Sequence, residues 1–124
     1  MEFIFQRSYR GPLKAALLDW AGTTIDYGCM APTVVFMDVF KHKGVEISID
    51  EAREPMGAHK RVHIRQISKN ENVAKRWEQK HGRKPNEDDV DGMYKEFIPL
   101  QLKCLAQYAE LIPGTLEAVA EFRR

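Results

Sequence analysis

The chain has 124 residues, 44% of them hydrophobic, and its 19 basic and 18 acidic residues give a formal net charge of +1. This length supports one modest hydrophobic core rather than two complete domains, and the balanced charge predicts no nucleic acid or membrane partner. Cys29 and Cys104 lie too far apart for a metal motif or a secreted disulfide framework, and no signal peptide or membrane span is evident, so we expect a cytoplasmic protein.

The first predicted element is an apolar run at residues 15–18, reading Ala-Ala-Leu-Leu, which is typical of a buried strand in a parallel sheet. Asp19 follows at the carboxyl end of this strand, where α/β folds bind their ligands. Gly22 allows a tight turn, and the hydroxyls of Thr23 and Thr24, with the turn amides, are suited to an anionic group. Because Asp, Gly and Thr are also ordinary turn residues, a turn without chemistry is an equally open interpretation.

The rest of the chain is predicted to be a succession of helices. The first has Pro32 in its first turn and ends at Gly44, and the second begins with a capping box of Ser48 and Glu51 and stops at Pro55. Further helices are predicted over residues 59–68, over 71–81 with Gly82 closing it, from a cap at Asn86 onward, and over 115–124 after a linker at 112–114.

The later helices carry specific expectations of their own. Pro99 is expected to bend or break its helix. Apolar residues of the last two helices are expected to face the core; these are Met93, Phe97, Leu100 and Leu105, followed by Leu116, Val119, Ala120 and Phe122.

A second segment, residues 55–63, reads Pro-Met-Gly-Ala-His-Lys-Arg-Val-His. Together with residues 17–29, it resembles the phosphonoacetaldehyde hydrolase (phosphonatase) family of the haloacid dehalogenase superfamily in residue type, order and separation. Many members of that superfamily carry a second aspartate two residues after the nucleophile, and this chain has Ala21 there. Ala21 combined with Lys60 and His63 resembles phosphonatase and differs from an ordinary phosphatase.

The resemblance implies an α/β fold, in which an α-helical cap is inserted into a doubly wound core. Residues 1–30 would be the first core strand and nucleophile loop, 31–111 the cap, and 112–124 a return linker and the start of a core helix. The chain itself would then be mostly helical. We expect it to be truncated, since the later core strands have no counterpart.

The resemblance also implies roles for individual residues. Asp19 would be the nucleophile, Lys60 the amine that forms a Schiff base, and His63 a proton-transfer group. Substrate or phosphate would contact Gly22, Thr23, Cys29 and Met56. Mg²⁺ would be held by Asp19, by the backbone carbonyl of Ala21 and by a downstream acidic residue that has no counterpart here. A homodimer through the cap helices is also implied.

The implied reaction is hydrolysis of the carbon–phosphorus bond of phosphonoacetaldehyde to acetaldehyde and phosphate. An iminium at Lys60 would accept the electron pair of that bond, so the carbon leaves as a neutral enamine that needs no acid at residue 21. Lys60 must be neutral to attack an aldehyde, although a free lysine has a pKa of about 10.4. Burial or the neighbouring His59, Arg61 and His63 are candidates for lowering it.

Each of these residues also has a structural interpretation. An isolated lysine is usually solvated, an isolated histidine is usually a surface or core residue, and Cys29 and Met56 equally suit core packing. Two other functions therefore stay open. One is a haloacid-dehalogenase-type hydrolase or phosphotransferase with another phosphorylated or phosphonylated aldehyde as substrate. The other is a catalytically inactive helical fragment or binding module.

Overall fold

The computed structural model describes residues 11–12 and 14–124, which form a helical fold. The elements, in chain order, are α1 Met30–His42, α2 Ile49–Arg53, α3 Lys60–Lys69, α4 Glu71–His81, α5 Glu87–Cys104, a 3-10 helix Leu105–Tyr108, and α6 Thr115–Phe122. The predicted helices are therefore confirmed, with boundaries that differ by one or two residues. No helix in the described part of the chain has the length and apolar character needed to cross a bilayer.

Local sequence explains where the helices begin and end. Ser48 and Glu51 form the predicted capping box of α2, and the side chain of Asn86 accepts a hydrogen bond from the backbone of Asp89 at the start of α5. Gly82 ends α4 in the left-handed conformation, with φ of 70°. Helix α5 continues through Pro99, so this proline does not break it.

One hydrophobic core joins α1 to α5. Helix α5 packs against both α1 and α3, while α2 packs against α1 and α4 against α3. The largest fully buried side chains of this core include Trp77, Phe36, Phe40, Phe97, Ile64, Ile67 and Met93. The rings of Phe36 and Phe97 lie 4.6 Å apart at the centre of this core. This packing fixes the position of α3, which carries the predicted amine.

The predicted strand at residues 15–18 does not form. Residues 14–19 have no regular secondary structure, and Leu17 is fully exposed. Isolated bridges link Ile25 to Ala21 and to Leu111. A strand needs a neighbour to pair its backbone N–H and C=O groups, and the elements of the described chain that could flank this run are helices, which offer no such edge.

The prediction that α6 packs inward was also wrong. Leu116 is 66% exposed, Phe122 is 62% exposed, and Ala120 is exposed as well, while Val119 is only partly covered. Leu105 is 44% exposed, whereas Met93 and Phe97 are fully buried as predicted. The apolar face of α6 exists in the sequence, but no described element lies across it.

Candidate active site

Asp19 lies at the entrance of a tight turn. Its carboxylate accepts a hydrogen bond of 2.7 Å from the backbone N–H of Trp20. The carbonyl of Trp20 in turn accepts hydrogen bonds from the backbone N–H groups of Thr24 and Ile25, at 2.9 and 3.2 Å. Gly22 has φ of 78°, a conformation that favours glycine, and its N–H donates to the carbonyl of Ile25. The sequence thus predicted the turn correctly, although it predicted a strand before it.

The predicted anion-binding groups of this turn differ in availability. Thr23 is exposed, whereas Thr24 is buried, and its hydroxyl donates to the carbonyl of Trp20 at 3.0 Å. Asp19, Ala21 and Gly22 are all exposed. Of the two threonines, Thr23 is therefore the one whose side chain faces solvent beside Asp19.

Asp19 and the carbonyl of Ala21 are oxygen donors of the kind that Mg²⁺ binds. Among the described residues, no group of three or more His, Cys, Asp or Glu side chains is arranged to hold a metal ion. Mg²⁺ keeps several water ligands and needs only one or two carboxylates, so the chemistry of these two donors suits it.

Lys60 is the first residue of α3 and is half-buried above the aromatic core. Its Nζ lies 5.7 Å from the centre of the Phe36 ring. Burial lowers the pKa of Lys60 from its ordinary 10.5, and the charge of Cys29 opposes that effect in part. The amine is thus biased toward the neutral form that attacks a carbonyl, as the sequence analysis required. The cause is burial rather than a neighbouring cation.

His63 lies three residues further along α3 and is fully buried. Its ring stacks on Phe36 with centroids 3.9 Å apart, and its Nε2 donates to the carbonyl of Ala52 at 2.7 Å. Since that carbonyl can only accept, the proton of the neutral ring is on Nε2, and Nδ1 is left as an acceptor with no partner among the described residues. Burial lowers the pKa of His63, against the opposing effect of the Ala52 hydrogen bond, and the charge of Lys60 lowers it further.

Cys29 lies against the Asp19 turn. Its Sγ occupies the space where a Cβ on residue 22 would lie, so only glycine fits at Gly22. The charge of Cys29 raises the pKa of Lys60, against the larger effect of burial. Met56 is 36% exposed, in the turn that leads into α3.

The structure thus forms two groups: Cys29 lies against Gly22 in the Asp19 turn, and Lys60 and His63 lie on α3 against the Phe36 ring. The Asp19 carboxylate is hydrogen-bonded to the N–H of Trp20 in its own turn, and no ion pair between it and Lys60 is seen in the described part of the chain. Phe36 was not predicted to belong to the site, yet Lys60 lies over its ring and His63 stacks on it. Phe36 lies on the apolar face of α1, and this apolar pattern predicts that its ring is buried. The pattern does not predict which side chains pack against the ring.

The chain is similar to known proteins over nearly its whole length. No family model matches the chain. It is 49% identical over 121 residues to a phosphonoacetaldehyde hydrolase of Syntrophobacter fumaroxidans, covering 98% of this chain and 44% of that protein. It is 46% identical over 121 residues to a phosphonoacetaldehyde hydrolase of Nitratidesulfovibrio vulgaris, covering 98% of this chain and 43% of that protein.

A solved structure gives the same result. The crystal structure of a phosphonoacetaldehyde hydrolase-like protein from Oleispira antarctica matches with a TM-score of 0.74 and 42% identity, covering 84% of this chain and 41% of the other. The predicted fold class, a helical cap with a small part of a haloacid-dehalogenase-like core, is confirmed by this match. The chain spans less than half the length of the relatives it matches. Nearly the whole chain is thus similar to part of phosphonoacetaldehyde hydrolase, which confirms the resemblance predicted from the segments around Asp19 and Lys60.

Proposed function

We propose that this chain carries the nucleophile turn and the amine-bearing cap of a phosphonoacetaldehyde hydrolase. The observation that carries the proposal is the environment of Lys60: a half-buried amine of lowered pKa, whose Nζ lies 5.7 Å from the centre of the Phe36 ring. A solvated surface lysine would lack all of these features. The names of the similar proteins supply the substrate, phosphonoacetaldehyde.

The proposed reaction begins at Lys60. The neutral Nζ adds to the aldehyde carbon of the substrate and loses water, which gives an iminium. A carboxylate oxygen of Asp19 then attacks phosphorus, the carbon–phosphorus bond breaks, and its electron pair moves into the iminium to leave an enamine. Water hydrolyses the aspartyl phosphate to phosphate. Protonation of the enamine carbon and hydrolysis of the resulting iminium release acetaldehyde and restore Lys60, so one water is consumed overall.

The surroundings of Lys60 favour the first of these steps. Phe36 and the buried core beneath it exclude water from one side of the amine, which increases the neutral fraction and protects an imine from hydrolysis. His63 has an unprotonated Nδ1 and a lowered pKa, so at neutral pH it is suited to accept a proton rather than to donate one. We propose that it accepts a proton from Lys60 as the amine adds to the aldehyde.

Mg²⁺, if bound as the family implies, would offset the negative charges of Asp19 and the phosphonate. In this proposal the Asp19 carboxylate and the Ala21 carbonyl are its protein ligands. Asp19 must then either break its hydrogen bond with the N–H of Trp20 or bind the metal through its second carboxylate oxygen.

The proposal also includes a homodimer formed through the helices of residues 31–111. Sedimentation equilibrium of the chain tests it directly.

The experiment is reductive trapping. The chain is incubated with phosphonoacetaldehyde and borohydride, and peptide mass spectrometry locates the adduct. We expect the adduct on Lys60, its loss in Lys60→Arg, and its retention in Lys69→Arg, a matched change at the exposed other end of α3. Asp19→Ala should leave trapping intact, because imine formation precedes attack on phosphorus. Equal labelling of Lys60 and the exposed lysines would contradict the proposal and favour an inactive helical module.

A further inference from the structure

Asp26 is a buried carboxylate that the proposed reaction does not use. It is 6% exposed, and both of its oxygens accept hydrogen bonds from the start of α1. Oδ1 accepts from the N–H of Met30 at 2.9 Å, and Oδ2 from the N–H of Ala31 at 3.1 Å. The residue directly before α1, Cys29, supplies no side-chain cap. Asp26 therefore caps this helix from a distance, and the residues between them form a closed turn.

That turn holds two unusual backbone conformations. Asp26 and Cys29 have φ of 54° and 52°, and they are the non-glycine residues with positive φ in the described part of the chain. Aspartate tolerates this region better than cysteine does. Such a conformation persists only when its surroundings fix it. Here the N–H of Cys29 donates to the carbonyl of Asp26 at 2.9 Å, and Arg53 donates to the carbonyl of Gly28 at 2.8 Å.

The same residue is also tied to the far end of the chain. The N–H of Asp26 donates to the carbonyl of Glu110 at 3.1 Å, next to the bridge between Ile25 and Leu111. Asp26 is therefore fixed by its backbone on one side and by its carboxylate on the other. Within the described residues no hydrogen bond holds the Cys29 side chain, whereas its backbone N–H is held by this turn.

We propose that Asp26 is a positioning residue, which holds Cys29 against Gly22 in the Asp19 turn by closing the turn that precedes α1. The inference rests on the proposed function in taking Lys60 as the reacting amine. Asp26 touches neither the substrate nor Lys60; it acts through Cys29. Cys29 is the group whose charge acts on Lys60, and Lys60 acts in turn on His63.

The test measures how strongly Cys29 and Lys60 are coupled. Reductive methylation with formaldehyde and cyanoborohydride, followed by peptide mass spectrometry, gives the pH profile of Lys60 in the 124-residue chain. Cys29→Ala should move this profile to lower pH, because the Coulomb interaction with Cys29 that raises the pKa of Lys60 is removed. In an Asp26→Asn background the same change should move the profile by less than about half as much.

The substitutions keep the test interpretable. Asparagine also tolerates positive φ, but its Nδ2 cannot accept a hydrogen bond, so one of the two contacts with α1 is lost. The control is Asn70→Ala, since the Asn70 side chain caps α4 with bonds to the N–H groups of Asn72 and Val73 at the far end of α3. It should destabilise the chain without altering the shift caused by Cys29→Ala.

Each outcome decides the question. A Cys29→Ala shift of equal size in the parent chain and in the Asp26→Asn background overturns the inference, as does the absence of any shift in the parent chain. A reduced shift in the Asn70→Ala background would also overturn it, because the effect would then follow general destabilisation. Failure of phosphonoacetaldehyde trapping, in contrast, contradicts the proposed function and leaves the methylation result readable.

Discussion

His63 provides a sharp test of how the site is built. Its ring is fully buried, stacks on Phe36 and donates to the carbonyl of Ala52. We expect His63→Gln to lower the free energy of unfolding at neutral pH. We also expect that free energy to fall less steeply with decreasing pH in the variant than in the parent chain. The glutamine amide can still donate to Ala52, so the loss at neutral pH is mainly the ring stacking, about 0.5 to 1.5 kcal/mol.

The pH effect follows from the direction of the pKa shift. Burial lowers the pKa of folded His63 below its ordinary 6.5, so the unfolded chain takes up a proton first as the pH falls. The stability that the neutral ring contributes is present in full above pH 6.5 and is lost as the pH falls through the folded pKa. For one proton, the free energy of unfolding falls by at most about 1.4 kcal/mol per pH unit.

The measurement is urea unfolding, followed by circular dichroism, at closely spaced pH values between about 5 and 7.5, where ordinary carboxyl groups are ionised. Carboxylates such as Asp89, whose pKa the Arg83 hydrogen bond lowers from 3.8, lose their protonation-linked stability at still lower pH. The control is His81→Gln, whose exposed imidazole also donates to a backbone carbonyl, that of Lys43, at 2.8 Å. Parallel stability curves for the parent and His63→Gln would refute the argument that a neutral buried ring is required.

Three further results are expected from the packing. Phe36→Ala should lower the free energy of unfolding by about 3 to 5 kcal/mol in urea titrations, and a loss below about 1 kcal/mol would show that the ring is not buried in solution. Leu116→Ser, at a side chain 66% exposed, should change it by no more than about 0.5 kcal/mol; a larger loss would mean that α6 is covered. Iodide should quench the fluorescence of Trp20, which is 65% exposed, but not that of Trp77, which is 1% exposed, and Trp20→Phe should abolish the quenching.

The helices could be predicted because their signals are local. The capping box of Ser48 and Glu51 and the glycine at position 82 act through neighbours a few residues away, so they work in nearly any context. The strand at 15–18 and the inward face of α6 depend on partners elsewhere. An apolar run predicts that a segment can be buried, but it does not supply the surface that buries it, and Leu17 and Leu116 stay exposed.

The candidate site was predictable as a set of residues and not as an arrangement. The letters around Asp19 and Lys60 indicated which side chains to consider. They did not indicate that Phe36 lies beneath Lys60, or that His63 is fully buried with its Nε2 bonded to Ala52. Asp26 was missed for a related reason, since its carboxylate caps a helix four and five residues away, outside the usual capping pattern.

The central claim is that Lys60 is an amine kept partly neutral by burial, and its pH profile of reductive methylation tests this most directly. Lys69, exposed on the same helix, is the internal reference in every sample. The two lysines are compared by the pH at which methylation reaches half its maximal rate. This comparison removes the effect of how easily the reagent reaches each amine. We expect Lys60 to reach its half-maximal rate at a lower pH than Lys69, and the same or a higher pH for Lys60 would contradict the account.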